Sequence, residues 1–517
     1  MHVLATRPGG YAAGDGVVDL AQSPADVVFL SSADTDLKLL ADALEQMPPA
    51  FPSMRLASLL MLRSNASVDL YFDSVLERAK LVVIALIGGA SYWPYGIERL
   101  VERARDGLVQ LVVVPGDDAV DPELGRLSTA SEEDCFRVSR YLREGGPANA
   151  RALLEFLNAR FLGGAQLPSA ARPLPRVAIY HPEEPVCDLA RWQREWREGA
   201  PVAALLFYRA HLQAGNLRAF DGLIEVMIAQ GLNPLPISAA SLKETVCRAA
   251  VEELLQRAGV ELILNTTGFA IAAMEGGDRA GALGLDRPIF QAILSGGNAE
   301  DWRAQPNGLG PSDLAMSVVL PEIDGRIITR AVSFKGLSRR SERAELDVVE
   351  YQIEPERAAF VAELARRWAV LARTPASQRR VALVLSNYPA RDGRLGNGVG
   401  LDTPASTISI LQAMRDAGYA VRNIPADGTA LMAALTANVT NELELNDVRP
   451  AQQSLALHDY RSFLQTLPPA LIEAVERRWG TPERDPRVRG DRIVIAGIRC
   501  GDTFVGIQPA RGYEVDV

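Results

Sequence analysis

Short runs of apolar, β-branched residues recur along this chain between longer amphipathic stretches, and no other feature limits the fold so tightly. A run of that kind bounded by turn residues reads as a strand buried on both faces, and strands alternating with helices form α/β units around parallel sheets. The first stretch offers His2 to Ala5, Asp26 to Leu30, Leu81 to Ile87 and Gln110 to Val114 as strands, with amphipathic Ser53 to Leu62 and Tyr95 to Ala104 between them. Helical pattern then runs from Glu132 to Phe161 and stops at a proline-rich passage, Leu167 to Arg176, which favours an extended linker.

A second series follows, with strand candidates Arg176 to His181, Val202 to Tyr208, Leu232 to Ile237, Glu261 to Thr266 and Pro288 to Leu294. After Pro321 the pattern turns to extended segments among charged residues, Arg326 to Phe334 and Val348 to Ile353, which predict an antiparallel excursion. A third series holds Arg380 to Ser386, Tyr419 to Ile424, Arg492 to Ile498 and Thr503 to Gln508. The predicted class is α/β, with several Rossmann-like or flavodoxin-like lobes on parallel sheets and a small antiparallel excursion. A chain of 517 residues exceeds one core, and the expected domains are residues 1–170, 171–330 and 331–517, the last incomplete where the chain stops at Tyr513 to Val517.

Acidic and basic residues are interspersed and the formal net charge is -10, which argues against a nucleic-acid footprint. Cys135, Cys187, Cys247 and Cys500 lie far apart without a CxxC pair, the usage of a reducing compartment without structural zinc. The start has no signal-peptide pattern and no stretch approaches the ~18 apolar residues of a spanning helix, so a cytoplasmic location away from membranes is expected. Basic side chains are almost all arginine, with lysine only at Lys38, Lys80, Lys243 and Lys335, a bias assigned to genomic composition rather than to chemistry.

The most unusual segment is Leu385 to Ser406, LSNYPARDGRLGNGVGLDTPAS, where a strand leads into a glycine-rich loop and then a helix. Loops at the carboxyl ends of parallel strands are where α/β proteins bind ligands, and Gly393, Gly396, Gly398 and Gly400 allow close backbone approach. A structural turn with Thr403 as N-cap and Pro404 at the first helical position accounts for the last residues without any ligand. It does not account for Asn387, Tyr388 or the glycine density. A phosphate loop of the form GxxxxGK[ST] is absent throughout, so ATP hydrolysis is not expected on this chain.

The run NYP…GxxGNGVGLDTPxS at Asn387 to Ser406 resembles the signature shared by the large subunits of cobaltochelatases (CobN) and magnesium chelatases. Two further segments resemble the cobalt branch: LLFYRAHLQAGNLRAFDGLIEVMIAQGLNPLPI at Leu205 to Ile237 and ELILNTTGFA at Glu261 to Ala270. The resemblance implies ATP-dependent insertion of cobalt(II) into hydrogenobyrinic acid a,c-diamide. It also implies that ATP and Mg sit on separate AAA+ ATPase subunits of the CobS and CobT kind, which agrees with the missing phosphate loop. Related large subunits continue into a segment of the form HxGKHGxxEWLPGK that this sequence lacks, so a fragment or a split gene is expected.

Metallation requires the ring to be held, two pyrrolic protons removed and a divalent ion passed to ring nitrogens. His211 is the predicted metal ligand and catalytic proton acceptor, because neutral imidazole does both near neutral pH. Tyr208 and Arg209 are predicted substrate-binding residues, Arg209 through its planar fork on ring carboxylates, with Gln213 and Asn216 beside them. Asn265, Thr266 and Thr267 supply amide and hydroxyl groups suited to peripheral amides, and Asn387, Tyr388, Gly396, Asn397 and Gly398 complete the predicted binding set. Each has a bland alternative: His211 as a packed helix-start residue, the Asn-Thr-Thr run as a turn or cap. His181, His2 and His458 are weaker candidates, Trp192 and Trp196 are expected to pack, and the pairs Glu183/Glu184, Glu132/Glu133 and Asp117/Asp118 are assigned no role. The rival readings are a magnesium-chelatase large subunit, a non-catalytic two-lobed binding scaffold and a two-lobed glycosyltransferase.

Overall fold

The structure is a computed structural model that describes residues 17–116, 121–271, 283, 286–445 and 447–510. It divides into two compact units, Met1–Ala369 and Val370–Val517. The strand candidate His2 to Ala5, the pair Asp117/Asp118 and the segment Tyr513 to Val517 lie outside the described residues.

Among the described residues the first unit holds two sheets. One is wholly parallel, in the order β2-β1-β3-β4, from β1 (Val27–Ser31), β2 (Met54–Ser58), β3 (Leu81–Leu86) and β4 (Gln110–Pro115). All of β1 and β3 is buried, as expected for strands covered by helices on both faces. The expected amphipathic segment Ser53 to Leu62 is instead the strand β2 followed by a 3-10 turn at Leu59–Met61. Met54 and Leu56 enter one core while Ala57, Leu59 and Leu62 enter another, and such two-sided burial mimics a helical stripe in sequence.

Helical pattern from Glu132 to Phe161 forms two helices, Glu132–Glu144 and Gly146–Phe161, broken at Gly145 with φ 61°. A Cβ there would stand 2.6 Å from that of Gln213, so the break is also a close approach of two chain segments. The proline-rich passage then leads to the second sheet, in the order β11-β10-β9-β8-β6-β7-β5. Its strands are β5 (Val177–Ile179), β6 (Val202–Tyr208), β7 (Asn233–Ala239), β8 (Leu262–Asn265), β9 (Ile289–Asn298), β10 (Ile327–Ser341) and β11 (Leu346–Ile353). The centre is parallel, and the edges β5 and β11 are antiparallel to their neighbours.

The expected boundary at residues 330/331 falls inside β10, which pairs with β9 along the second sheet. The β10–β11 hairpin carries its tip into the core of the first sheet, where Ala344 and Val348 are buried beside Leu37, Leu40 and Leu56. Polar bonds hold it there: Leu56 donates to the Ala344 carbonyl at 3.4 Å, and Arg55 pairs with Glu345 at 2.8 Å. Trp192 and Trp196 pack as expected, their indole N–H groups donating to the carbonyls of Tyr180 and Pro234. His181 is buried against Trp192, its Nδ1 accepting from Glu183 N and its Nε2 within 3.3 Å of Glu195.

In the second unit β12 (Val381–Leu385) runs parallel to β17 (Thr503–Ile507), which pairs antiparallel with β16 (Gly497–Cys500). A separate antiparallel sheet, order β13-β15-β14, comprises β13 (Gln453–Ala456), β14 (Val488–Arg489) and β15 (Arg492–Ile495). The expected strand Arg492 to Ile498 is therefore shared between two sheets, divided at Ala496. Tyr419 to Ile424 is not a strand: Arg422 N donates to the Cys500 carbonyl, but Asn423 turns left-handed at φ 54° and ends any ladder.

Gly501 makes this β16–β17 turn possible. Its φ is 71°, and a Cβ would clash with the Ala420 carbonyl oxygen, far inside the van der Waals contact distance. Gly501→Ala is expected to destabilise the second unit by about 2–5 kcal/mol, the sum of the left-handed penalty and overpacking. Urea denaturation followed by Trp479 fluorescence checks this, and a loss below ~0.5 kcal/mol would show that the turn relaxes freely.

Candidate functional site

Strand β6 ends at Tyr208 and runs into the short helix Arg209–Ala214, closed by Gly215 in the left-handed region at φ 63°. That helix holds the His211 ring 4.9 Å from the Phe220 ring and 5.4 Å from the Tyr351 ring. Among the described residues its Nδ1 is enclosed without a hydrogen-bond partner. Burial, with a smaller contribution from the Lys335 charge, pulls the imidazole down to about 4, so it is neutral through the physiological range.

His211 lines a cavity of about 520 Å³ between the carboxyl ends of β1 and β2 and the β10–β11 hairpin. Polar groups facing it include Ser32, Asp34, Lys38, Arg63, Asn216, Lys335, Glu345 and Glu350, beside apolar residues such as Leu37, Leu60, Met61 and Val348 and the ring of Tyr351. Lys335 pairs with Asp34 at 2.6 Å and Lys38 with Glu350 at 3.0 Å, so each ion pair joins the first-sheet helix Asp34–Glu45 to the hairpin. Lys38 and Glu350 are both buried. Lys38 and the hydroxyl of Ser338 hold the Glu350 carboxyl below its usual range despite burial. The Ser32 hydroxyl, like His211 Nδ1, is enclosed without a partner among the described residues. Position fits ligand binding, because parallel sheets bind ligands at strand carboxyl ends, and Ser32, Ala33, Ser58 and Leu60, at or just past the ends of β1 and β2, line the cavity.

Tyr208 and Arg209, although next to His211 in sequence, do not line this cavity. The buried Arg209 guanidinium donates to the carbonyls of Arg143, Leu174 and Pro175 and pairs with Glu144 at 3.1 Å. Its fork is thus engaged with the proline-rich linker and the preceding helix, and a ring carboxylate would have to displace those partners. Gln213 likewise donates to the Arg143 carbonyl. Asn216 lines the cavity and accepts from Tyr351 N at 3.3 Å.

Asn265, Thr266 and Thr267 meet Tyr208 at the carboxyl edge of β6 and β8, where the Tyr208 hydroxyl donates to the Gly268 carbonyl at 2.9 Å. Burial raises the Tyr208 phenol above its ordinary value. Asn265 Nδ2 donates to the Thr267 carbonyl and to Gln291 Oε1, and Thr267 Oγ1 donates back to Asn265 Oδ1. Thr266 Oγ1 donates to the Leu206 carbonyl. The residue that organises this set escaped the sequence reading. Arg326 is 4% exposed, donates to Thr267 O, Gln291 Oε1 and Phe269 O, and pairs with buried Asp324 at 2.7 Å.

The second unit holds the glycine-rich segment. Asn387 is buried just past the end of β12, both its amide atoms enclosed and without a hydrogen-bond partner among the described residues, while Tyr388 stands exposed. Gly396, at φ 68°, donates to the Ser386 carbonyl at 2.7 Å, and Ser386 Oγ donates to the Asn397 carbonyl, so the loop folds back on its strand. A Cβ at Gly398 would press on Thr403 Oγ1 at 3.1 Å. The N-cap of the helix Thr403–Asp416 is Asp402, whose carboxylate accepts from Ala405 N, rather than Thr403. Among the described residues no three His, Cys, Asp or Glu side chains stand together as a metal cage. No described helix is long and apolar enough to cross a membrane.

Residues 139–517, which hold His211, the Arg326 network and the glycine-rich segment, match the family described as CobN/Magnesium Chelatase. The chain belongs to that family. Over 516 residues it is 51% identical to the aerobic cobaltochelatase subunit CobN of Pseudomonas aeruginosa, a match covering 100% of this chain and 41% of that protein. Against the aerobic cobaltochelatase subunit CobN of a Sinorhizobium species it is 40% identical over 526 residues, with the same coverage of 100% and 41%. The solved catalytic subunit of cobaltochelatase from Mycobacterium tuberculosis aligns with TM-score 0.66 and 30% identity, over 94% of this chain and 39% of that one. The chain thus spans about two fifths of the length of these CobN relatives. The resemblance carried by Asn387 to Ser406, Leu205 to Ile237 and Glu261 to Ala270 is borne out, as is the α/β class.

Proposed function

We propose that this chain forms the ring-facing part of a cobaltochelatase large subunit, which takes part in inserting cobalt(II) into hydrogenobyrinic acid a,c-diamide. In this reading ATP and Mg are bound by AAA+ partner subunits of the CobS and CobT kind, and the complex works in the cytoplasm. The geometric observation that carries it is His211, a neutral imidazole facing a cavity of about 520 Å³ at a sheet crevice. Kinship at 51% identity supports the choice of cobalt and corrin ring.

A nitrogen donor that stays neutral does not compete with protons for a divalent ion near pH 7. At about 4 it is a weak base, so the geometry favours His211 as the ligand that presents cobalt over His211 as acceptor of the pyrrolic protons. Arg63 at the cavity mouth is placed to meet ring carboxylates. Tyr208, the Asn265–Thr267 network and the loop from Asn387 through Tyr388, Gly396, Asn397 and Gly398 remain proposed ring-binding elements.

Titrating the chain with hydrogenobyrinic acid a,c-diamide, followed by visible spectrum and fluorescence, tests this. Saturable binding is expected. His211→Ala is expected to leave ring affinity within a factor of about 3 but to lower cobalt insertion by the reconstituted complex by ~100-fold or more. Asn387→Ala is expected to weaken ring binding about tenfold, near 1.4 kcal/mol. A folded chain that binds no ring would place the ring site elsewhere in the large subunit.

A further inference from the structure

The second unit carries a groove of about 580 Å³ between the helices Leu457–Leu464 and Pro469–Trp479 and the strand β15. Its lining is mainly apolar, with Phe463, Leu464, Leu471, Val475, Trp479 and Ile493 as its principal side chains. Phe463 is 55% exposed, Leu471 48%, Val475 42% and Trp479 45%. Contiguous apolar surface of this kind marks an interaction site, whereas single exposed apolar residues need no explanation.

The helices themselves add an independent argument. Among all their residues only Leu457 is buried. Helices of 8 and 11 residues fall short of the ~12–15 at which an isolated helix becomes marginal in water, and such helices draw their stability from a packed apolar face. Leu471, Ile472, Val475 and Trp479 recur at helical spacing on one such face, opposite Glu473 and Arg477. The relatives extend over more than twice the length matched here, since the chain covers 41% of each CobN protein.

We propose that this groove is an interface covered by polypeptide from the remaining three fifths of a CobN large subunit, through an apolar helix or strand seated against the Pro469–Trp479 helix. The inference rests on family membership and not on the proposed reaction, so failure of one leaves the other standing. A second copy of this chain is the competing occupant.

Cysteine accessibility tests it. Val475→Cys lies in the groove and Glu473→Cys on the opposite face of the same helix. Each is labelled with a thiol reagent in this chain alone and in a polypeptide joining the chain to the remaining part of the Pseudomonas aeruginosa relative. The expected result is labelling of Val475→Cys at least ~10-fold slower in the joined polypeptide, with Glu473→Cys labelled equally in both. Equal labelling of Val475→Cys, or equal slowing at both positions, overturns the proposal. Should the joined polypeptide not fold, the same pair of positions in the intact Pseudomonas aeruginosa protein gives the same reading. Sedimentation closes the remaining route: a chain that dimerises alone, and becomes monomeric with Val475→Glu, assigns the groove to a second copy and also overturns the proposal.

Discussion

Replacing Arg326 with Met is expected to lower the unfolding free energy of the first unit by about 3–5 kcal/mol, the cost of leaving one partner of a buried ion pair alone. The guanidinium and the Asp324 carboxylate are both enclosed, at 1% and 0% side-chain exposure, so neither recovers water in the native state. Arg326 also donates to Thr267 O, Gln291 Oε1 and Phe269 O; an apolar side chain would take the donor from Phe269 O, while Thr267 O and Gln291 Oε1 keep Asn265 Nδ2. Asp324 accepts from Ile271 N as well, tying the loop after β8 to the start of β10. Urea denaturation measures the loss. The double variant Arg326→Met, Asp324→Leu is expected to lose less than the two single changes together, because it leaves no lone buried charge. A single-variant loss under ~1 kcal/mol would mean that water reaches the pair.

Acidification is expected to weaken the first unit by about 3 kcal/mol through His211 alone. Its folded value of about 4 lies below the ordinary 6.5, so the fold prefers the neutral ring. The stabilisation is fully present above pH 6.5, is lost progressively as pH falls from 6.5 to about 4, and changes little below that. His211→Phe keeps a ring against Phe220 and Tyr351 but removes the titration. Unfolding free energies between pH 7 and 4.5 should therefore fall less steeply in His211→Phe than in the parent. Equal slopes would show that protonation is met by solvent and that the cavity is wetter than its enclosed Nδ1 indicates.

How far the sequence could be read depended on the range of the interaction concerned. Val202 to Tyr208 was legible to the residue because a strand buried on both faces is written in consecutive apolar side chains. Ser53 to Leu62 misled because a strand feeding two cores repeats its apolar positions irregularly, as a helix does. Tyr419 to Ile424 misled because apolar character alone does not supply a partner strand. His211 was singled out from chemistry, but Tyr208 and Arg209 were grouped with it on closeness in sequence, and the end of β6 and the short helix after it give them different surroundings.

The residues that surround His211 were the harder part. Lysine occurs at four positions, and two of them, Lys38 and Lys335, line the cavity, so the rarity set aside as compositional contained a signal. Reading it required knowing that Lys335 meets Asp34 across 301 residues of chain. Arg326 was legible only as the start of a strand, because its partners Thr267 and Gln291 reach it through the loop after β8 and the neighbouring strand β9.

The sequence by itself determined the α/β class, most strands and the family, because periodicity, turn residues and a glycine-rich signature are local and survive without coordinates. Tertiary structure alone decided which polar groups share a cavity, which are engaged in buried networks and which apolar faces lie uncovered. Those depend on contacts between residues hundreds of positions apart, such as Gln22 with Glu345, and on burial, which alters the charge state of a side chain such as His211 without changing its identity.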